Sequence, residues 1–287
     1  MSLLAVIPAR LGATRLPRKP LRLLGGVPLV VRVWERVQAI GAADHCVVAT
    51  DSNEIANAVR AAGADVALTR PDHPSGTDRV AEVAALPRFR AFGAVVNVQG
   101  DEPFVSAAVV RGAAELVTSG RFALGTASCP GDVAALASAD VVKVVAGDDG
   151  RALYFSRAPV PWLREPGDAG DRATRDALVR RHVGVYAYTR EALARWVALP
   201  VHPLERVERL EQLRPLAHGL AIGVAYVDEA PAPGIDTPAD LEAAERAWPA
   251  WQRAQHSARE RDPGAVAAGS RARPPYAVPA TLHRPDA

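Results

Sequence analysis

The sequence predicts an α/β fold: a mixed, mostly parallel sheet with a smaller inserted lobe. Two observations predict it. Continuous apolar runs alternate with helical patterns through the first 150 residues, as in a parallel sheet with right-handed crossovers. The second half breaks this rhythm with hairpin-like pieces around Asp148-Asp149-Gly150. No internal repeat at a solenoid or propeller period competes with this reading.

The elements come in order along the chain. Leu3 to Ile7 is unbroken apolar sequence, as expected of a strand covered on both faces. Leu29 to Ile40 places Val30, Val33, Trp34, Val37 and Ile40 on one helical face, and Gly41 ends it. Cys46 to Thr50 is the next strand, and Asn53 is the expected cap of a helix that Gly63 stops. Asp65 to Leu68 and Ala94 to Val98 are strands, and Ser106 to Thr118 a helix. Val141 to Val145 and Ala152 to Phe155 flank the turn as a hairpin. Val183 to Tyr188 and Ala221 to Val227 are strands. Glu191 to Ala198, Leu204 to Leu213 and Pro238 to Ala247 are helices. The smaller lobe spans about 148–220 and suits a second substrate or a dimer contact. Residues 1–251 form the folded domain. The Pro- and Arg-rich stretch 252–287 has few large apolar side chains, so it is expected to be a disordered tail.

Composition narrows the function. The 287 residues carry 34 Lys+Arg against 32 Asp+Glu, a net charge of +2, so no dominant nucleic-acid face is expected. Only Cys46 and Cys129 occur, which argues against a disulfide scaffold or zinc ribbon and for a reducing cytoplasm. No apolar run approaches the roughly 20 residues that span a bilayer, and the N-terminal run stops at Pro8, unlike a signal peptide.

In open α/β sheets, ligands bind beyond the carboxyl ends of the strands. After the first strand comes a loop with Arg10, Arg15, Arg18 and Lys19, four cations suited to a polyphosphate. It is neither a Walker A loop nor a dinucleotide turn. After the fourth strand comes Gln99-Gly100-Asp101, where a carboxylate can hold Mg²⁺ against phosphates. Later, Thr237, Pro238 and Asp240 are accounted for as a helix cap, which leaves Asp236 without a structural role. Asp101 and Asp236 facing the basic loop would make a two-carboxylate Mg²⁺ site.

These residues belong to a longer series. Pro8-Ala9-Arg10, Thr14 to Leu21, Ser75 to Arg79, Asn97 to Pro103, Tyr154 to Arg157, His182 to Tyr188, Leu210 to Arg214 and Asp236-Thr237-Pro238 occur in that order. The series resembles the 3-deoxy-manno-octulosonate cytidylyltransferase (CMP-Kdo synthetase) family across about Leu3 to Ala247. The resemblance implies a nucleotide-diphospho-sugar-transferase-like, Rossmann-like fold, usually dimeric. It implies that CTP and a 2-keto sugar acid give a CMP-sugar and pyrophosphate, with Mg²⁺. By position, Lys19, Asp101 and Asp236 would be catalytic, the two aspartates holding Mg²⁺. Arg10, Arg15 and Lys19 would neutralise the triphosphate, and Ser75 to Arg79 would lie on the base and ribose side. Gln99, Arg157, His182, Tyr186, Glu211 and Gln212 would line the acceptor pocket.

Three positions depart from the family pattern. Ala13 replaces the usual serine, Arg18 the usual glycine and Leu163 the usual aspartate. Arg18 adds a cation beside the triphosphate loop, and Arg164, Arg172, Arg175, Arg180 and Arg181 make an extra-cationic lobe beside the acceptor pocket. That leaves phosphonoformate, or another small carboxylate of phosphonate biosynthesis, as an alternative acceptor. A non-catalytic nucleotide-binding paralogue is the alternative of a different class.

Overall fold

The computed structural model describes residues 1–164, 169–228 and 230–261. The chain begins with β1 (Leu3–Ala9), a 3-10 turn (Lys19–Leu21), β2 (Leu23–Leu24) and β3 (Val27–Pro28). It continues through α1 (Leu29–Ile40), β4 (His45–Thr50), α2 (Asn53–Ala61), β5 (Asp65–Leu68) and α3 (Gly76–Ala85). Next come β6 (Ala94–Asn97), α4 (Ala107–Thr118), β7 (Leu124–Pro130), α5 (Val133–Ala137), β8 (Lys143–Ala146) and β9 (Ala152–Ser156). The last elements are α6 (Ala169–Leu178), β10 (Arg180–Thr189), α7 (Arg190–Ala198), α8 (Pro203–Glu208), α9 (Leu213–Ala217), β11 (Ile222–Tyr226) and α10 (Pro238–Arg261).

One sheet runs β11-β7-β10-β6-β1-β4-β5, and the β8–β9 hairpin branches from β10. Along this path β10 alone runs against the other strands, so the sheet is mixed and mostly parallel, as the sequence predicts. Every residue of β1 is buried, which explains its unbroken apolar sequence. Helices α1, α2 and α4 cover one face, and α3, α7 and α9 the other. The stretch 148–220 supplies both the outlying hairpin strand β9 and β10, which threads the central sheet.

The structure corrects several boundaries. Ser52, not Asn53, caps α2, accepting from the Ile55 amide at 3.3 Å. The helix expected over Leu204–Leu213 is broken at Arg209, which takes the left-handed conformation with φ +56°. The last helix passes Ala247 and reaches Arg261, so residues 252–261 are helical rather than part of a disordered tail. Residues 262–287 lie outside the described residues.

A third, smaller core matters most for function. Leu16, Leu24, Leu29, Phe104, Ile235 and Trp248 pack together under the carboxyl ends of the strands. Trp248 stacks on Trp251, and Phe104 meets both rings. This cluster joins the basic loop, the loop after β6 and the start of α10. Among the described residues, no helix is long and apolar enough to cross a membrane. Both cysteines are free and buried.

Candidate active site

The basic loop leaves β1 and turns back through the 3-10 turn, with Pro20 buried and the Lys19 amide donating to Leu16 O. Leu16 anchors in the third core, so Lys19 is carried on a fixed turn. The loop after β6 approaches β1 closely. A side chain at Gly100 would put its Cβ 2.7 Å from the Pro8 carbonyl oxygen, so glycine is required there. Asp101 comes directly after it. Its carbonyl accepts from the Ile235 amide at 2.9 Å, and Asp236 is thereby set beside it. Asp236 is also held from below: its amide and that of Thr237 donate to Asp240 Oδ2, and Thr237 Oγ1 caps the Asp240 amide.

The two carboxylates converge on one cation. Lys19 Nζ donates to Asp101 Oδ2 at 2.5 Å and Asp236 Oδ1 at 2.9 Å, and Arg15 Nη2 reaches Asp236 Oδ2 at 3.0 Å. Burial works against the Lys19 ammonium, but Asp101 and Asp236 outweigh it and raise its pKa above the usual lysine value. Behind them Glu102 is pushed up to about 7, first by burial and then by the charge of Asp101.

Arg15, Lys19, Asp101 and Asp236 line a cleft of about 320 Å³ that also takes in Arg10, Ser75, Arg79 and Gln99. Ser75 caps α3 and donates to Asp78 Oδ2 at 2.6 Å. Arg79 is buried and tied to Asp51 Oδ2 at 3.3 Å and to the Thr69 hydroxyl. Arg18 does not join them. Its guanidinium pairs with Glu54 on α2, and its backbone is left-handed at φ +59°. The extra cation expected beside the phosphates is therefore directed elsewhere, and the positive φ explains why glycine suits the position.

A second cleft, of about 310 Å³, shares Gly76 and Gln99 with the first. His182, Tyr186, Glu211 and Gln212 line it. His182 and Tyr186 lie on one face of β10 because the irregularity between Val183 and Tyr186 inserts two residues, which preserves the alternation. His182 Nε2 bonds Thr126 Oγ1 at 2.9 Å, and burial lowers its pKa to about 3, so the ring is neutral at physiological pH. Thr126 Oγ1 donates to Val185 O at 2.8 Å and so accepts from the ring. Glu211 and Gln212 ride between α8 and α9. A buried fork from Arg214 to Glu205, at 2.8 and 2.6 Å, fixes that segment.

Arg157 is not brought into either cleft. It donates to Glu208 O at 2.7 Å and Ala139 O at 2.9 Å, clamping the hairpin to α8. Thr77, expected on the base side with Ser75 and Arg79, faces the second cleft. Sequence reasoning missed His73 in the first cleft and Trp196 and Arg209 in the second. His73 had a signal, standing two residues before Ser75; Trp196 had none beyond its apolar helical position.

A cytidylyltransferase family profile matches residues 4–222. The 3-deoxy-manno-octulosonate cytidylyltransferase of Gemmatimonas aurantiaca is 62% identical over 258 residues, covering 90% of this chain and 98% of its own. This chain belongs to the 3-deoxy-manno-octulosonate cytidylyltransferase family. It is a nucleotidyltransferase enzyme. A solved relative, a CMP:2-keto-3-deoxy-manno-octonic acid synthetase complexed with CTP, is 36% identical with a TM-score of 0.79; the match covers 88% of this chain and all of that one. The 4-diphosphocytidyl-2C-methyl-D-erythritol synthase of Anaerococcus prevotii matches over 86% of this chain and 98% of its own. At 13% identity and a TM-score of 0.56, it shares the fold alone.

Proposed function

We propose that this cytidylyltransferase joins CMP from CTP to 3-deoxy-manno-octulosonate and releases pyrophosphate, in the cytoplasm and as a homodimer. The observation that carries the reading is the pair of clefts meeting at Gly76 and Gln99. The first gathers Arg10, Arg15 and Lys19 with two carboxylates, which suits a triphosphate and its metal. The second offers Glu211, Gln212, His182 and Tyr186, a mixture of acceptors and donors that suits a polyhydroxylated acid.

In this reading Arg10, Arg15 and Lys19 bind the triphosphate, Ser75 and Arg79 lie toward the base and ribose, and Gln99 stands at the junction. The acceptor hydroxyl attacks the α-phosphorus, its bond to phosphorus forms as the bond to pyrophosphate breaks, and positioning dominates. Asp101 and Asp236 converge on a single cation, the Lys19 ammonium, and carboxylates together with phosphate oxygens are the donor set that Mg²⁺ prefers. Bound there, Mg²⁺ would neutralise phosphate charge and lower the pKa of an acceptor hydroxyl.

The small-phosphonate alternative rests on the cations of 164–181. Arg175 pairs with Asp176, Arg180 stacks over Tyr226 and Arg181 donates to Pro231 O; among the described residues none of them lines the second cleft. Pyrophosphate release from CTP and Mg²⁺ with a panel of acids tests the assignment. Turnover with 3-deoxy-manno-octulosonate is expected. Turnover with phosphonoformate alone would overturn the acceptor but not the chemistry, and no turnover with any acid would favour a non-catalytic paralogue.

A further inference from the structure

One hydrogen bond ties the first turn of α3, whose Gly76 lines both clefts, to Glu211 in the second. Thr77 stands in the first turn of α3, directly after Gly76, which lines both clefts. Its hydroxyl donates to Glu211 Oε2 at 3.0 Å, across 134 residues of sequence. Thr77 is buried, so this proton is not shared with bulk water. Ser75 also lies near Glu211, but its single hydroxyl proton goes to Asp78 Oδ2 at 2.6 Å and is not available to Glu211. Thr77 is therefore the hydroxyl that fixes one carboxylate oxygen of Glu211, a residue that lines the second cleft.

We propose that Thr77 is a positioning residue for the acceptor: its hydroxyl orients the Glu211 carboxylate toward the second cleft from the same helical turn that borders the nucleotide. The inference rests on the second cleft being the acceptor site. It assigns Thr77 no contact with the reacting atoms.

The surroundings make the role readable in solution. Glu211 faces Ser75 and Asp78 from α3, Tyr186 and Tyr188 from β10, and Arg214 from α9. Burial raises its pKa, the Thr77 hydroxyl and Arg214 oppose that rise, and Asp78 adds to it. Removing the hydroxyl must raise the Glu211 pKa further, because a donor to the charged form is lost.

The test uses the full-length enzyme with CTP and 3-deoxy-manno-octulosonate, comparing Thr77→Val, Thr77→Ser, Glu211→Ala and the Thr77→Val/Glu211→Ala double variant. Thr77→Val is expected to lower kcat/KM for the acceptor about tenfold, the order set by one hydrogen bond to a charged group. The KM for CTP should change little. The acid limb of the acceptor kcat/KM profile should move to higher pH, and Thr77→Ser should restore both magnitude and profile. In the Glu211→Ala background, Thr77→Val should have almost no further effect. If Thr77→Ser is as damaged as Thr77→Val, or if the two changes simply add, the proposal is wrong. Should Thr77→Val fail to fold, Thr77→Ala, which also lacks the hydroxyl, takes its place against Thr77→Ser and in the double variant, with the same expected loss, pH shift and non-additivity. An unaffected Glu211→Ala variant would instead overturn the acceptor cleft itself, a distinct outcome.

Discussion

Lys19 shows how a single side chain organises this site. Two carboxylates from distant parts of the sequence, Asp101 and Asp236, hold one ammonium, and their charge overrides its burial. Asp101→Ala or Asp236→Ala should therefore leave the fold intact and lower turnover by about a hundredfold or more, the usual scale for lost charge stabilisation. Pyrophosphate release at saturating Mg²⁺ checks this; near-normal activity in either variant removes that residue from the site. His182 makes a second prediction, about pH. Its folded pKa lies near 3, against an ordinary 6.5. Between those values the unfolded chain binds the extra proton, so stability falls as pH falls, by at most about 1.4 kcal/mol per pH unit. His182→Gln should flatten that part of the pH dependence of the thermal midpoint; an unchanged slope would assign it to other groups. These charged and polar types announce themselves in the sequence because their chemistry is local to them. Arg157 and Arg18 mislead because their partners, carbonyl oxygens and Glu54, leave no mark in a residue pattern.

At the scale of elements, sequence legibility tracks apolar periodicity. β1, β4 and β6 are apolar runs and are plain. β7, LGTASCP, is not legible as a strand at all, although it lies between β10 and β11 in the sheet. Its small residues have a packing cause: a Cβ at Gly125 would lie 2.5 Å from the Ala113 carbonyl oxygen of α4. The close approach that makes the strand buried also removes the bulky side chains that would have signalled it. The break between α8 and α9 is hidden for a similar reason, since Arg209 adopts a left-handed backbone that glycine would have advertised. Gly100 is the reverse case, a glycine whose purpose only the fold reveals. Gly100→Ala should destabilise by about 2 kcal/mol through overpacking against Pro8. It should also reduce turnover, because Asp101 must shift. Denaturant midpoints together with pyrophosphate assays measure both effects, and a fully active, fully stable variant would show that the two loops can separate without cost.

For the molecule as a whole, the sheet places the two clefts and α10 closes the arrangement. The helix begins beside the Asp236 carboxylate, crosses the third core through Trp248 and continues to Gln255, whose Oε1 accepts from Arg36 Nη1 at 2.7 Å. Arg32 and Arg36 of α1 lie over the Trp248 and Trp251 rings at 4.7 and 5.3 Å. Composition alone places the end of the fold too early, because the polar residues directly after Trp251 extend a helix that packs on α1 rather than forming a core of their own. Two truncations distinguish the helix from the chain beyond it. Ending the chain after Ala247 removes Trp248, which is buried against Phe104 and Ile235, and should cost at least the roughly 3–5 kcal/mol typical of deleting a buried large aromatic. Turnover should fall with it, since Asp236 and the Asp101 loop share that core. Ending the chain after Arg261 keeps every one of these contacts and removes only a Pro-rich stretch with few large apolar side chains, so thermal midpoint and turnover should match the full chain. A large loss in the longer truncation product would show that residues beyond 261 contribute to the folded body. An unperturbed shorter product would show that the Ile235–Asp101 backbone bond and Asp240 hold Asp236 without help from the third core.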